Sequence, residues 1–299
     1  MFTTLRLNIM RSLIKIAIFI TIISAISFAG IWFTVGRLAT NYPAVISFPR
    51  DATFEALEVK GFSGAILKGW FARGVAGHGG VLLLHSIKSN RLEMLGRARF
   101  LNAAGYSVFL YDHRAHGESS GERTTFGQYE SHDAKNALRE FRRLVPNERI
   151  GVIGVSLGGA AALLGNECLQ AEAFVLEAVY PSIEIAVENR LELHMGKWAR
   201  KLAYPLLEVG SWRFKIERQK LRPVEAIKRL TVPVLILGGR DDKHTTERDT
   251  LSIFESANEP KELWILDQSQ HENFHTKAGL TYQEKLLRFF DRYLRKKKR

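Results

Sequence analysis

The chain has 299 residues, of which 46% are hydrophobic and 25% are charged. This composition excludes a disordered, collagen-like or disulfide-stapled protein and is sufficient for one large core. The 43 basic residues exceed the 31 acidic ones, and the net charge of +12 suits nucleic acid, an anionic membrane surface or an acidic ligand without choosing among them. The single cysteine, Cys168, excludes an internal disulfide and a metal site built on paired thiolates.

An uncharged apolar segment, residues 16–35, lies close to the amino terminus. As a helix it extends about 30 Å, which matches the hydrocarbon core of a bilayer. Arg6, Arg11 and Lys15 precede it, and the positive-inside tendency predicts a cytoplasmic amino terminus with the rest of the chain across the membrane, although Arg37 reduces the asymmetry. A cleaved signal peptide and a buried helix of a soluble protein are the alternatives. A secretory apolar core is usually shorter, about 7–15 residues, which favours an uncleaved anchor.

After a connector at residues 38–54, short apolar runs alternate with longer helical patterns, which indicates a mostly parallel sheet. Strands are predicted at residues 56–59, 65–71, 81–85, 107–112, 149–155, 173–178, 232–237 and 262–266. Helices are predicted at residues 91–104, 128–144, 158–168, 246–256 and 282–294. Residues 182–230 are too long for a simple crossover, and their content of Arg, Lys, Leu and Trp predicts a helical insertion.

The most informative motif follows the fifth predicted strand and opens a helix rich in alanine. It reads Gly154-Val155-Ser156-Leu157-Gly158-Gly159. In this context Gly-x-Ser-x-Gly is typical of a nucleophile elbow, a sharp turn that strains the serine and needs small neighbours on both sides. The turn also directs the amide of Leu157, at a helix start, toward an oxyanion that forms there. A glycine-rich turn with an incidental serine is the alternative.

A serine hydroxyl needs a base, and the base needs a carboxylate that sets its tautomer. Both residue types follow in that order. Asp241 and Asp242 come after the strand at 232–237, and His271 comes after the strand at 262–266. Because reaction sites in open α/β sheets gather at the carboxyl ends of the strands, these residues are expected to converge with Ser156.

From about residue 55 to residue 294 the chain resembles the α/β-hydrolase superfamily. The segments 81–91, 105–121, 151–159 and 238–241 together with His271 are similar to lid-bearing serine hydrolases, which include monoglyceride lipases, the serine-aminopeptidase-like family and membrane-anchored ABHD-type esterases. The resemblance implies Ser156 as nucleophile, Asp241 as acid and His271 as base. It also implies an oxyanion hole formed by the amide of Leu157 and an amide of the loop after His85.

Several assignments have rivals. The loop after the third predicted strand has the sequence His85-Ser86-Ile87, whereas many relatives carry His-Gly there. The second oxyanion amide could therefore belong to Ser86 or to Ile87. Ile87 is favoured because it is third in the motif. Asp242 could replace Asp241, but a count of three past the first glycine of the turn favours Asp241. Glu177, at the end of the sixth strand, is another candidate acid, and His275 is another candidate base. His85 and the segment 112–119 are interpreted as loop-organising.

The sequence therefore predicts an α/β-hydrolase fold with a mostly parallel eight-stranded sheet, helices on both faces, a helical lid and a preceding membrane helix. The predicted organisation is a cytoplasmic stub and anchor at 1–37, a connector at 38–54, a hydrolase domain at 55–294 with its lid at 182–230, and a basic tail at 295–299. The predicted activity is cleavage of a carboxylic ester of a lipid-like or other small acyl substrate, with no cofactor, no metal and no nucleic-acid partner.

Other function classes stay open at this point. A peptidase or amidase of the same fold would use the same three residues. A non-catalytic binding protein of this fold would need none of them, so their presence argues against it. Membrane-surface or nucleic-acid binding through the basic ends would be sensitive to salt, but no interleaved aromatic and basic motif supports it.

Overall fold

The computed structural model of the chain describes residues 2–49 and 54–296, so residues 297–299 of the predicted basic tail lie outside the described part. The first element is a long helix, α1 (Phe2–Leu38). Its segment Met10–Arg37 has a mean hydropathy of 2.3 and is long and apolar enough to span a membrane. Every side chain from residue 10 to residue 30 is exposed, so α1 is not a buried core helix of this fold.

The sheet has eight strands in the part of the chain that the structure describes. They are β1 (Glu55–Lys60), β2 (Ile66–Ala72), β3 (Gly80–Leu84), β4 (Ser107–Tyr111), β5 (Ile150–Val155), β6 (Ala173–Glu177), β7 (Val234–Gly239) and β8 (Lys261–Leu266). Their order is β8-β7-β6-β5-β3-β4-β2-β1. Strand β2 is antiparallel to both β1 and β4, and the remaining pairs are parallel. The predicted mostly parallel eight-stranded sheet is confirmed.

Helices cover both faces of this sheet. They are α2 (Leu92–Ala103), α3 (Gln128–Leu144), α4 (Leu157–Leu163), α5 (Ile183–Met195), α6 (Ala203–Phe214), α7 (Pro223–Ala226), α8 (Glu247–Ser256) and α9 (Phe274–Tyr293). One apolar cluster packs α3, α4 and α8 on one face, and a second packs α2 and α9 on the other. Central strands such as β3 are buried along their whole length, which is why they read as unbroken aliphatic runs.

Two predicted helix boundaries were wrong. Helix α4 ends at Leu163 rather than residue 168, and Gly165 follows at φ +93°, the left-handed conformation that commonly terminates helices. The last helix begins at Phe274, eight residues before the predicted start at 282, and includes a non-helical step at Gly279 with φ 53° and ψ −124°. Local patterns locate helix interiors better than their ends.

The predicted helical insertion lies between β6 and β7. It contains α5, α6 and α7, with short 3₁₀ segments at Lys197–Leu202, Arg218–Lys220 and Ile227–Arg229. We call residues 182–230 the lid. Helix α6 packs against the carboxyl-terminal turns of α1, where Val35 and Ala39 are buried.

The register of the parallel strands aligns their carboxyl ends at one edge of the sheet. Leu84 pairs with Gly154, and Val155 pairs with Glu177. Glu177 pairs with Leu237, which pairs in turn with Trp264. The loops after β3, β5, β6, β7 and β8 therefore emerge side by side, and the residues that they carry can meet.

Candidate active site

Ser156 occupies a strained turn between β5 and α4. Its backbone has φ 48° and ψ −106°, and its amide donates a hydrogen bond to the carbonyl of Glu177 at 2.8 Å. A Cβ at Gly154 would lie 2.6 Å from the Cα of Gly159, and one at Gly158 would lie 2.3 Å from the carbonyl oxygen of Leu84. Both positions therefore require glycine, because the backbone approaches too closely for a Cβ atom. This confirms the prediction that the serine turn needs small neighbours on both sides.

The structure brings His271 together with Asp242. The Nδ1 atom of His271 lies 2.7 Å from Oδ2 of Asp242, whose side chain is fully buried. The other carboxylate oxygen of Asp242 accepts the amides of His244 at 2.7 Å and Thr245 at 2.9 Å. This contact holds Nδ1 protonated and leaves Nε2 as the basic nitrogen, the tautomer that a general base of this kind needs.

The structure places Asp242, the alternative that the sequence left open, beside His271 in the position expected for Asp241. Asp241 is exposed, and its amide donates to the carbonyl of Ser269 at 2.9 Å. The amide of Asp242 donates to the carbonyl of Gly239 at 3.3 Å, which closes the turn after β7. Of these two consecutive residues, Asp242 is buried and Asp241 is exposed. Counting one residue too few along the turn therefore selects the exposed carboxylate.

The two other rivals take part in packing away from this pair. The carboxylate of Glu177 receives Nη2 of Arg97 at 2.6 Å and the hydroxyl of Tyr282, and all three side chains are buried. Its carbonyl still supports the serine turn through the amide of Ser156. The ring of His275 stacks on Phe100 with centroids 5.3 Å apart. Burial, and secondarily the charge of Arg97, lowers the pKa of His275.

In the loop after β3, the amides on both sides of the position that the sequence favoured are engaged, and within the described part of the chain the amide at that position is not. The amide of Ser86 donates to the carboxylate of Glu93 at 2.8 Å, and the amide of Lys88 donates to Nε2 of His116 at 3.2 Å. Within residues 2–49 and 54–296, the amide of Ile87 has no hydrogen-bond acceptor. On the other side, Leu157 is the first residue of α4, where an amide has no acceptor within the helix.

His85 organises this loop, as the sequence predicted. Its Nδ1 donates to the carbonyl of Ser86 at 2.7 Å, and its Nε2 accepts the amide of His113 at 2.9 Å. Burial, together with the proximity of His116, lowers the pKa of His113 to about 3, so this ring is neutral. The same segment carries a buried ion pair, in which Nε of Arg114 lies 2.6 Å from the carboxylate of Asp133. The structural interpretation of residues 112–119 is confirmed.

Residues of the lid and of the β7 loop complete the surroundings of His271. Asn189 of α5 donates to the carbonyl of His244 at 3.2 Å, and the ring of His244 lies 5.2 Å from that of His271. Arg190 is half-buried close to Asp242, and no carboxylate lies within ion-pair distance of it in the described part of the chain. The sequence showed that the insertion is rich in arginine and lysine. No local pattern distinguishes Arg190, which lies close to Asp242, from the other basic residues of the insertion.

A sheet in this order, with a strained serine after β5 and a His–Asp pair after β8 and β7, has the arrangement of the α/β-hydrolase fold. Comparison with known proteins agrees. A family model described as serine aminopeptidase, S33, matches residues 77–216. The solved esterase Pf2001 of Pyrococcus furiosus superposes with a TM-score of 0.70 at 22% identity, over 86% of this chain and 98% of that one. The chain therefore has the α/β-hydrolase fold, as the resemblance implied, and over residues 77–216 it is similar to the serine aminopeptidase family.

Its relatives in sequence include bacterial proteins of undescribed activity. The chain is 27% identical over 222 residues to the uncharacterized protein YqkD of Bacillus subtilis (strain 168), covering 71% of this chain and 70% of that one. It is 23% identical over 274 residues to the uncharacterized protein YfhR of Escherichia coli (strain K12), covering 86% and 89%. The solved serine hydrolase XC6422 of Xanthomonas campestris, described as lacking a lid, superposes with a TM-score of 0.57 at 17% identity over 85% of this chain and 100% of that one.

Proposed function

We propose that this protein is a serine hydrolase that cleaves carboxylic esters, with Ser156 as nucleophile, His271 as general base and Asp242 as the carboxylate that orients it. The observation that carries the proposal is the 2.7 Å contact between Nδ1 of His271 and the buried carboxylate of Asp242. That contact lies at the sheet edge where the strained Ser156 emerges. A buried carboxylate held on a half-exposed histidine is the arrangement that activates a serine hydroxyl.

In the proposed reaction, Oγ of Ser156 attacks the ester carbonyl while Nε2 of His271 takes its proton. The amides of Leu157 and Ile87 stabilise the tetrahedral oxyanion. When the intermediate collapses, the ester C–O bond breaks and His271 returns the proton to the departing alkoxide, leaving an acyl group on Ser156. Water then attacks the acyl group while His271 takes a proton from it. His271 returns that proton to Oγ of Ser156 as the acid is released, which regenerates the serine.

The preference for esters over amides is part of the proposal. It is supported by the description of Pf2001, the fold neighbour from Pyrococcus furiosus, as an esterase. The description of the matching family model as a serine aminopeptidase supports the alternative, a peptidase with the same three residues. Turnover of p-nitrophenyl butyrate against an aminoacyl p-nitroanilide distinguishes the two, and we expect the ester to be the faster substrate.

The test of the nucleophile is the pair of Ser156→Ala and Ser131→Ala, each assayed with a fluorophosphonate probe and p-nitrophenyl butyrate. Because the members of a triad act as a unit, loss of Ser156 is expected to abolish labelling and to lower kcat by several powers of ten. Ser131 is a matched control, a buried serine on α3 whose hydroxyl donates to the carbonyl of Gln128 at 2.9 Å. Full activity of Ser156→Ala would exclude the proposed reaction.

We also propose that α1 anchors the protein as a single span, with the amino terminus in the cytoplasm and the hydrolase domain on the opposite side. Its apolar length and the positive charges of Arg11 and Lys15 ahead of the uncharged residues 16–35 support this orientation. Packing of Val35 and Ala39 against the fold supports a helix that is retained rather than cleaved.

Fractionation and protease accessibility test the anchor. Membrane association is expected to survive a high-salt wash, because apolar burial rather than the basic tail would hold the protein. Protease added outside the cytoplasmic membrane is expected to digest the hydrolase domain. Release by salt alone would exclude a spanning helix, and complete protection from external protease would reverse the orientation.

A further inference from the structure

The end of α1 and the lid form one packed unit. The ring of Trp32 lies 5.5 Å from the ring of Trp212 in an edge-on arrangement. The guanidinium of Arg213 lies 4.2 Å from the centroid of the Trp32 ring, and its Nη1 donates to the carbonyl of Trp32. We call this contact between α1 and α6 the seam. The lid is therefore held where the candidate membrane helix ends.

A cavity of about 60 Å³ lies along the seam. A single water needs about 10–15 Å³ of such space, so this volume is several times larger. Its apolar wall includes Val35, Phe126, Ile183, Val187, Leu206 and Leu207. Arg218 also borders it, but this side chain is engaged by Glu208 and Glu184. A space with such walls suits hydrocarbon rather than water or a charged group.

The chain after β6 leads from the candidate active site to this cavity. The carbonyl of Glu177, the last residue of β6, accepts the amide of Ser156 at 2.8 Å. Six residues further along, Ile183 at the start of α5 lines the cavity. Between them, the hydroxyl of Tyr180 donates to the carbonyl of Phe126, another residue of the cavity wall. One short loop therefore joins the cavity wall to the strand end that supports Ser156.

The surface around the seam has the composition of a membrane interface. Trp198, Tyr204 and Trp212 are each more than 60% exposed, and Lys197 and Lys201 are exposed beside them. Exposed tryptophan and tyrosine with lysine are typical of the layer between lipid headgroups and hydrocarbon. Trp212 adjoins Trp32 of α1, so this side of the lid begins where the apolar surface of α1 ends, and the bilayer is the partner that fits it.

We propose that the seam cavity binds a segment of the acyl chain of a bilayer-dissolved ester while its carbonyl lies at Ser156, with Val35 of the membrane helix as one wall. The inference rests on the proposed ester hydrolase activity and adds the substrate class. Each methylene that passes from lipid through water costs a factor of about four in equilibrium. Because α1 forms one wall of the cavity, the acyl chain can move from the bilayer into the cavity without passing through water.

A ladder of acyl chain lengths tests the cavity in full-length protein reconstituted in phosphatidylcholine vesicles. A Cβ at Gly210 would lie 3.5 Å from Cγ1 of Val35, so alanine fits there and leucine fills the cavity. We expect Gly210→Leu to lower the ratio of kcat/KM for p-nitrophenyl dodecanoate to that for the acetate at least tenfold, and Gly210→Ala to lower it less. Because every variant meets the same vesicles, partitioning of the esters cancels in the comparison.

Gly30→Leu is the matched control, since Gly30 lies on α1 and a Cβ there would meet nothing within 4 Å. Its ratio is expected to equal that of the wild type. A ratio for Gly210→Leu within twofold of the wild type would overturn the proposal, and so would an equal loss in Gly30→Leu.

A photoreactive probe tests the location directly, without a substitution. A dodecyl fluorophosphonate with a terminal diazirine would be attached to the active-site serine, irradiated and mapped by mass spectrometry. Crosslinks are expected in peptides that contain Val35 or residues 206–214. Labelled Ser156 with crosslinks only to other segments would overturn the seam assignment and leave the hydrolase intact. Failure to label Ser156 would instead overturn the proposed activity and this inference with it.

Discussion

The pair Asp242→Asn and Asp241→Asn tests which carboxylate acts on His271. In the structure one oxygen of Asp242 accepts two amides, from His244 and Thr245, and the other faces Nδ1 of His271 at 2.7 Å. If asparagine keeps its oxygen on the two amides, its NH₂ group faces Nδ1. The imidazole must then carry its proton on Nε2, where it cannot accept the proton of the serine.

The expected effect is that of a wrong tautomer, a loss in kcat of about 10³–10⁴ with little change in KM. At 1.36 kcal/mol per tenfold, this corresponds to about 4–5.5 kcal/mol of transition-state stabilisation. Asp241→Asn changes an exposed neighbour with the same chemistry and is expected to stay within twofold of the wild type. Steady-state kinetics with p-nitrophenyl butyrate measures both, and thermal unfolding verifies that each variant is folded. A sensitive Asp241 and a tolerant Asp242 would refute the reasoning.

Two further predictions concern stability. Gly158→Ala places a Cβ 2.3 Å from the carbonyl oxygen of Leu84, and it is expected to lower the free energy of unfolding by about 1–3 kcal/mol or more. The loss is measured as a lower Tm and reduced probe labelling. An unchanged Tm would contradict the close approach. Glu177→Gln leaves the buried Arg97 without its counter-ion and is expected to cost about 3–5 kcal/mol in denaturant unfolding, whereas Glu167→Gln, in an exposed pair, is expected to leave unfolding unchanged. Equal effects of the two glutamate variants would show that burial of the Arg97 pair is unimportant.

The fold was predictable because its determinants are local. Val81-Leu82-Leu83-Leu84 is apolar without alternation since β3 is covered on both faces, and the pattern of α3 over residues 128–144 is that of a helix with one buried side. The serine turn was predictable for the same reason. Gly154 and Gly158 are needed within two residues of Ser156, so the sequence alone contains the whole steric condition.

The choice between Asp241 and Asp242 needed the tertiary structure. Asp241 and Asp242 are the same residue type at adjacent positions, so the sequence does not distinguish them. The hydrogen bonds of their amides to the carbonyls of Ser269 and Gly239 shape the turn that buries Asp242 beside His271. The structure likewise places His275 and Glu177 against partners distant in sequence, Phe100 and Arg97, and not in the contact between His271 and Asp242.

The amino-terminal helix shows the same division. Its apolar length, and with it the capacity to span a bilayer, is a property of consecutive residues and was read directly from them. That its last turns pack on α6, with Trp32 against Trp212 and Val35 at a cavity wall, joins residues about 180 positions apart. Local sequence determines which segments can be helix, strand or reactive turn, because those properties depend on near neighbours. Which side chains meet is decided by packing over the whole chain.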